Sequence, residues 1–389
     1  MKRREFIKLS AIAALMLTLD PDKIFANESG NEDKVFVLIE LEGGNDGLNT
    51  VIPYTDETYY DLRGSLAVEK EKVLPLNDSL GFHPKLEKLK NIWDENELAV
   101  VLGVGYENPN RSHFRSKDIW NTASDSEEYL TEGWIGRLLW EHPFGESFFS
   151  DTVTMGKDDT KPFDHEGMKN IVLDSPEKFV KKAGSVEYIE KSSKDEMLSY
   201  VIYTQNELHD TVEVLKEKID NPVEIETKFP NSKLGTHFKD IAFLLKNGIK
   251  APVFKAALGG FDTHSNQAST HERLLEELSE ALSSFREALI EIGYWDKTLI
   301  MTYSEFGRRP AKNGSNGTDH GTAAPHFILG GKVKGGFYSK QPSLSDLDSN
   351  GDLKYTVDYR SLYSSVVKKW WKIEGSFLDK YPAIECIDL

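Results

Sequence analysis

From Lys34 to Asp46 the chain reads KVFVLIELEGGND, an apolar run that ends in two glycines and an acid. Val35, Val37 and Ile39 suit a buried strand, and Gly43 and Gly44 predict a sharp turn beyond it. The same signature recurs. Residues 97–104 (ELAVVLGV), 252–258 (PVFKAAL), 298–303 (TLIMTY) and 325–329 (PHFIL) read as further strands. Between two of them, residues 271–292 place Leu274, Leu275, Leu278, Leu282, Phe285, Leu289 and Ile292 at three- and four-residue steps, which predicts an amphipathic helix. A strand–helix–strand crossover of this kind predicts parallel strands. Residues 196–217 and 235–247 give two more helical patterns. The stretch 141–195 is polar and irregular, and we expect an insertion near 141–230. No internal repeat is visible.

The strand ends carry the candidate chemistry. Asp46 follows the first strand. LGGFDTH brings Asp262 and His264 after 252–258, SEFGRR brings Glu305 and Arg308 after 298–303, and TDHG places Asp319 and His320 before 325–329. In open α/β sheets ligands bind at the carboxyl ends of strands. Each instance alone is weak, since an Asp beside glycine commonly just forms a turn. Together they form a set of oxygens and imidazoles that suits a divalent cation, zinc, manganese or iron rather than calcium. A further segment, NPNRSHFRS at 108–116, follows the second strand and opens a helix. Ser112 there is either a helix cap or a hydroxyl placed where the helix dipole favours negative charge; capping is the commoner outcome. His113 fits a ligand or a helix surface equally well. His83 before Pro84 reads as a turn residue and His326 as a structural histidine inside its strand.

Charge and the amino terminus narrow the setting. Lysines and arginines number 47 against 64 acids, a formal net charge of -17. That disfavours nucleic acid and anionic membranes as partners. Lys2-Arg3-Arg4-Glu5-Phe6-Ile7-Lys8 precedes the apolar stretch Ala11–Leu19, with Ala26 a plausible cleavage point. This order predicts a secretory signal over 1–26 that resembles the twin-arginine type, and the twin-arginine export machinery is then a partner. The stretch is shorter than the roughly 20 apolar residues of a membrane span, so no stable span is expected after cleavage. The expected location is the periplasm or the exterior. One cysteine, Cys386, excludes an internal disulfide.

LIELEGGNDGLNT, YENPNRSHFRSKDIW, GWIGRLL, LGGFDTHSNQ, TYSEFGRRP and GTDHGTAAPHFILGG, in this order, resemble the bacterial family known as domain of unknown function 1501. That family is in turn distantly similar to the alkaline phosphatase and sulfatase superfamily. The resemblance implies a three-layer α/β/α sandwich with a mainly parallel sheet, alkaline phosphatase-like, as a single domain over 27–389. It implies one or two divalent metals, with zinc and manganese the candidates. Asp46, Asp262, His264, Glu305, Asp319 and His320 are the implied ligand candidates, with Asp262 alternatively supporting the ligands from behind. Ser112 is the candidate nucleophile. Arg111 or Arg308 would hold the non-bridging oxygens of a phosphate or sulfate. Phe306, which cannot bind a metal, stands where the superfamily pattern has a second ligand. The implied activity is hydrolysis of a small-molecule or polymer phosphate or sulfate ester. The alternative is a non-catalytic periplasmic or surface binding protein that keeps the fold.

Overall fold

The computed structural model describes residues 31, 33–145, 148–156, 159–190 and 193–389; the expected signal over 1–26 lies outside them. In chain order the strands are β1 (Val35–Glu42), β2 (Val51–Ile52), β3 (Leu74–Pro75), β4 (Gly81–Phe82), β5 (Leu98–Gly105), β6 (Thr152–Met155), β7 (Asn170–Leu173), β8 (Val253–Gly259), β9 (Thr298–Tyr303), β10 (Ala324–Leu329), β11 (Gly336–Tyr338) and β12 (Val357–Asp358). The α-helices are α1 (Glu57–Arg63), α2 (Glu87–Asp94), α3 (His113–Thr122), α4 (Trp134–Glu141), α5 (Pro176–Ala183), α6 (Glu196–Asp220), α7 (Lys233–Lys246), α8 (Gln267–Glu291) and α9 (Arg360–Ser364); α9 runs into a π-helical turn, Ser365–Trp370.

Nine strands of the described residues form one sheet in the order β11-β5-β10-β9-β1-β8-β6-β7, with β12 also on β5. β1 pairs in parallel with both β8 and β9. The crossover through α8 therefore steps over β1 rather than joining neighbours. β10 alone runs antiparallel, between β5 and β9. β2, β3 and β4 make a small separate sheet.

The alternation of β1 explains the layering. Val35, Val37, Ile39 and Leu41 face one core, shared with Leu89 of α2, Phe238 of α7 and Leu278 and Phe285 of α8. Phe36 and Leu38 face the other, shared with Trp120 of α3, Trp134 of α4, and Tyr363 and Trp370 near the carboxyl end. Burial on both faces is why this strand is apolar nearly throughout. Each fully buried side chain of this size contributes roughly 1.5–3 kcal/mol. The architecture is a three-layer α/β/α sandwich with a mainly parallel sheet.

Residues 141–195, expected to be irregular, hold β6, β7 and α5. β6 and β7 are four residues each. They widen the sheet at one edge, and strands so short leave too little periodicity to stand out from their polar flanks.

Candidate metal centre

The loops after β1, β8 and β9 leave the same edge of the sheet because those strands are parallel. β10 is antiparallel, so the loop that precedes it opens at that edge too. β5 ends there as well and hands the chain to α3. His113, Asp262, His264, Glu305, Asp319 and His320 are thereby gathered from four separate segments.

Two glycines make the gathering possible. Gly43 has φ +115°, and a Cβ on it would lie 2.4 Å from the Asp262 nitrogen. Gly44 has φ +79°, and a Cβ there would meet the Phe306 ring at 2.4 Å. Only glycine combines these backbone angles with such close approach.

The centre is a cluster of acceptors. His113, Asp262 and His320 each offer one ligand atom, all within 4.8 Å of one another. His264 joins them: its Nε2 lies 2.9 Å from Nε2 of His320 and 3.0 Å from Oδ1 of Asp262. His320 Nε2 is 3.1 Å from the same oxygen. The far nitrogens are tied down. His320 Nδ1 is 2.8 Å from the Arg111 carbonyl, which can only accept. His264 Nδ1 is 3.3 Å from the Asp319 carboxylate. His113 Nδ1 is 2.8 Å from Oε1 of Glu305. With a proton at each Nδ1, the Nε2 atoms are left as lone pairs.

Two imidazole lone pairs and a carboxylate oxygen about 3 Å apart repel unless a proton or a cation stands among them. With bonds of about 2.0–2.2 Å, three such donors can share one ion. Nδ1 held by an acceptor is also the usual support behind a metal-bound histidine. The donor set fits a divalent cation of the zinc, manganese or iron kind. The cluster is open to solvent, with the Asp262 side chain 47% and the His264 side chain 45% exposed.

The charges are tuned by neighbours. Burial would raise the Asp262 carboxyl, but the Arg308 hydrogen bond and His320 outweigh it and bring it down to about 2. The Glu305 hydrogen bond raises His113 above its ordinary value. Burial holds His320 below its own.

The remaining candidates stand elsewhere in the network. Asp46 is not brought to the cluster. It is fully buried, and its oxygens take Nη1 and Nη2 of Arg63 at 2.7 and 2.6 Å, with Gln267 as a third donor. Burial disfavours its charge, yet Arg63 more than compensates and keeps the carboxyl low. Glu305 lies behind His113, on the far side of its ring from Asp262 and His320. Its oxygens accept from the amides of Gly43 and Gly44 at 3.0–3.2 Å. Asp319 backs His264 in the same way.

Arg308 does not face a substrate. It is buried and spends its donors on the Gly44 and Thr318 carbonyls at 2.8 Å, on those of Gly43 and Phe261, and on Asp262 at 2.6 Å. Arg111 pairs with the buried Asp352 at 2.7 Å. Ser112 occupies the N-cap position of α3, yet its side chain makes no cap hydrogen bond; it is exposed. Phe306 packs against the His113 and His320 rings, centroids 4.9 and 4.4 Å away. His326 is buried in β10 against Trp120.

His113 is the member that sequence reasoning left open. The usable signal was its place directly after the N-cap of a helix fed by a strand ending at this edge. Arg63 and Gln267, which claim Asp46, carry no motif.

The fold and the cluster define an α/β/α sandwich with a histidine–aspartate centre at the carboxyl edge of its sheet. Residues 244–381 match the family described as "Protein of unknown function (DUF1501)", which bears out the family resemblance over that stretch. A search of curated proteins found no match. Among solved structures, the chain is similar to a protein in the alkaline phosphatase superfamily from Vibrio parahaemolyticus, at 12% identity over 79% of this chain and 62% of that one, TM-score 0.35. It is similar to the sulfatase PsFucS1 from Pseudoalteromonas sp., at 12% identity over 82% and 68%, TM-score 0.35. It is also similar to the C-terminal periplasmic domain of EcEptC from Escherichia coli in complex with zinc, at 9% identity over 78% and 74%, TM-score 0.39. The chain spans 62% of the length of the first of these. Likeness at this level says nothing of the chemistry at the centre.

Proposed function

We propose that this chain is an exported, metal-dependent hydrolase of phosphate or sulfate esters. The observation that carries the reading is the convergence of His264 Nε2, His320 Nε2 and Asp262 Oδ1 within 2.9–3.1 Å, with His113 beside them. These four residues would hold the ion, and Glu305, Asp319 and the Arg111 carbonyl fix the tautomers of the three histidines. A divalent cation held there supplies Lewis acidity toward an ester oxygen. Ser112 is the candidate nucleophile. Its hydroxyl is uncommitted, and the free N–H groups of the first turn of α3 favour negative charge on it. Arg308 sets the place of Asp262 and holds the loops together.

Metal analysis of protein purified after native export, followed by a panel of phosphate and sulfate esters, tests the reading. We expect stoichiometric zinc, manganese or iron, lost in His264→Ala and His320→Ala. Ser112→Ala is expected to keep the metal and lose ester cleavage. Protein that holds no metal under any loading condition would sink the hydrolase.

One observation favours a second reading, a cation-dependent binding protein without catalysis. Arg308 and Arg111, the arginines expected to grip the anion, are both engaged with groups of the protein itself. Metal present, no ester cleaved and Ser112→Ala without effect would select it. Export through the twin-arginine machinery is part of either reading. Among the described residues no helix is long and apolar enough to cross a membrane.

A further inference from the structure

The long helix α6 is tied in its middle, where Gln205 and Asn206 bond the backbone of Glu187 and Ile189 and Glu207 pairs with Lys169, and it is buried only beyond that, toward its carboxyl end. Toward its carboxyl end Thr211 and Leu215 are buried. Toward its amino end Met197 is 79%, Tyr200 70%, Val201 52% and Tyr203 64% exposed. Residues 197–206, MLSYVIYTQN, include no charged side chain, in a chain that is 29% charged. Met197, Val201, Thr204, Leu208, Thr211 and Leu215 follow one another at alternating four- and three-residue steps. That is the seven-residue repeat of a helix–helix seam. The last two members pack on the domain. Thr204 and Leu208 line two clefts of about 350 and 580 Å³, one toward the edge strand β7 and one toward residues 185–187.

We infer that the open half of this seam is covered by a second copy of the chain, α6 lying antiparallel against α6 about a two-fold axis near Val201. Three features point to a copy. The seam is regular and continues beyond the surface that occupies its buried half, so another helix with the same spacing completes it. A two-fold contact brings the same surface together from both partners, so its own charges must tolerate one another. A chain of net charge -17 tends to repel its copy, and the ten residues of this strip carry no carboxylate of their own. The exposed area suits a reversible contact. Tyr203 lies about 200° round the helix from Val201 and is outside the seam. Met197, Leu198, Tyr200 and Val201 together expose on the order of 450 Å², taking about 150–250 Å² for an aromatic side chain, below the about 800 Å² per partner of a standard interface.

Sedimentation of the purified full-length chain across a concentration series tests this. We expect a monomer–dimer equilibrium that Val201→Lys moves toward monomer by at least tenfold in dissociation constant. Val201 is exposed, so the variant should keep its fold, which circular dichroism checks. Single thiols give an independent test. The native Cys386 is buried, so in Met197→Cys, Val201→Cys or Thr204→Cys mild oxidation reports only the new position. A covalent dimer in at least one of these supports the interface. A chain that stays monomeric at every concentration overturns it, as does a dimer that Val201→Lys leaves intact and none of the thiols links. A monomer that binds lipid vesicles through Tyr200 overturns it too.

Discussion

Glu305 grips His113 from behind: Oε1 of the acid lies 2.8 Å from Nδ1 of the imidazole, although 192 positions separate them in the chain. The same carboxylate receives the amides of Gly43 and Gly44. It therefore couples the orientation of a candidate ligand to the turn that closes β1.

Glu305→Gln should lower divalent-metal affinity roughly 10–100-fold, the usual cost of losing the support behind a metal-bound histidine. In metal-free protein it should also return the His113 pKa toward the ordinary value, since the carboxylate is the main cause of its rise. Calorimetric metal titration and NMR titration read the two effects. Unchanged affinity would show that His113 does not bind the ion.

Asp46→Asn should destabilise the fold without entering the metal balance directly. The change leaves Arg63 charged and buried beside a neutral amide, which costs about 3–5 kcal/mol. The sign with pH follows from the depressed carboxyl. The pair stabilises the fold above the unfolded carboxylate value of about 4 and loses its contribution as pH falls through the lower folded value. The gap between wild type and variant in denaturant titrations should thus be full at pH 7 and shrink below about pH 4. A gap independent of pH would contradict the ion pair.

His326→Leu should be tolerated and leave metal content untouched. Both ring nitrogens of His326 are buried without a hydrogen-bond partner, and burial pushes its pKa down to about 3. An unmade buried hydrogen bond costs about 1–3 kcal/mol, so an apolar replacement of similar size should be neutral or stabilising. In the wild type the neutral ring disfavours the fold as pH drops from the ordinary histidine value of about 6.5 toward 3, because the unfolded chain takes up the proton first. The variant should lose that part of the slope. Loss of bound metal in His326→Leu would instead tie this residue to the centre.

Arg3→Lys combined with Arg4→Lys should leave the precursor folded in the cytoplasm, as expected for a twin-arginine signal. Cell fractionation decides it, and normal export of the double variant would remove the assignment.

The elements most legible in the sequence were those buried on both sides. β1, β9 and β10 lie close to the expected segments because continuous apolar runs ending in glycine or a polar loop have few other uses. α8 was legible through its leucine spacing. β6 and β7 were not, since four residues at a sheet edge leave no period to read. At the centre, residue types were visible and allegiances were not. Asp46 follows its strand just as Asp262 does, and only the position of Arg63 in space separates an acid locked in the core from one open to solvent. Arg308 looked like an anion binder because nothing in GRRP reveals the carbonyls that surround it.

The central place of β1 has a consequence for synthesis. Glu40 on β1 and its buried partner Lys255 on β8 are 215 positions apart. At about 5–20 residues per second, the ribosome needs on the order of 10–40 seconds to deliver the second after the first. Through that interval a strand with six apolar residues of eight has emerged without either of its neighbours. Newly made chains thus carry β1 unpaired until β8 and β9 arrive, and a factor that shields nascent chains would have this strand to act on.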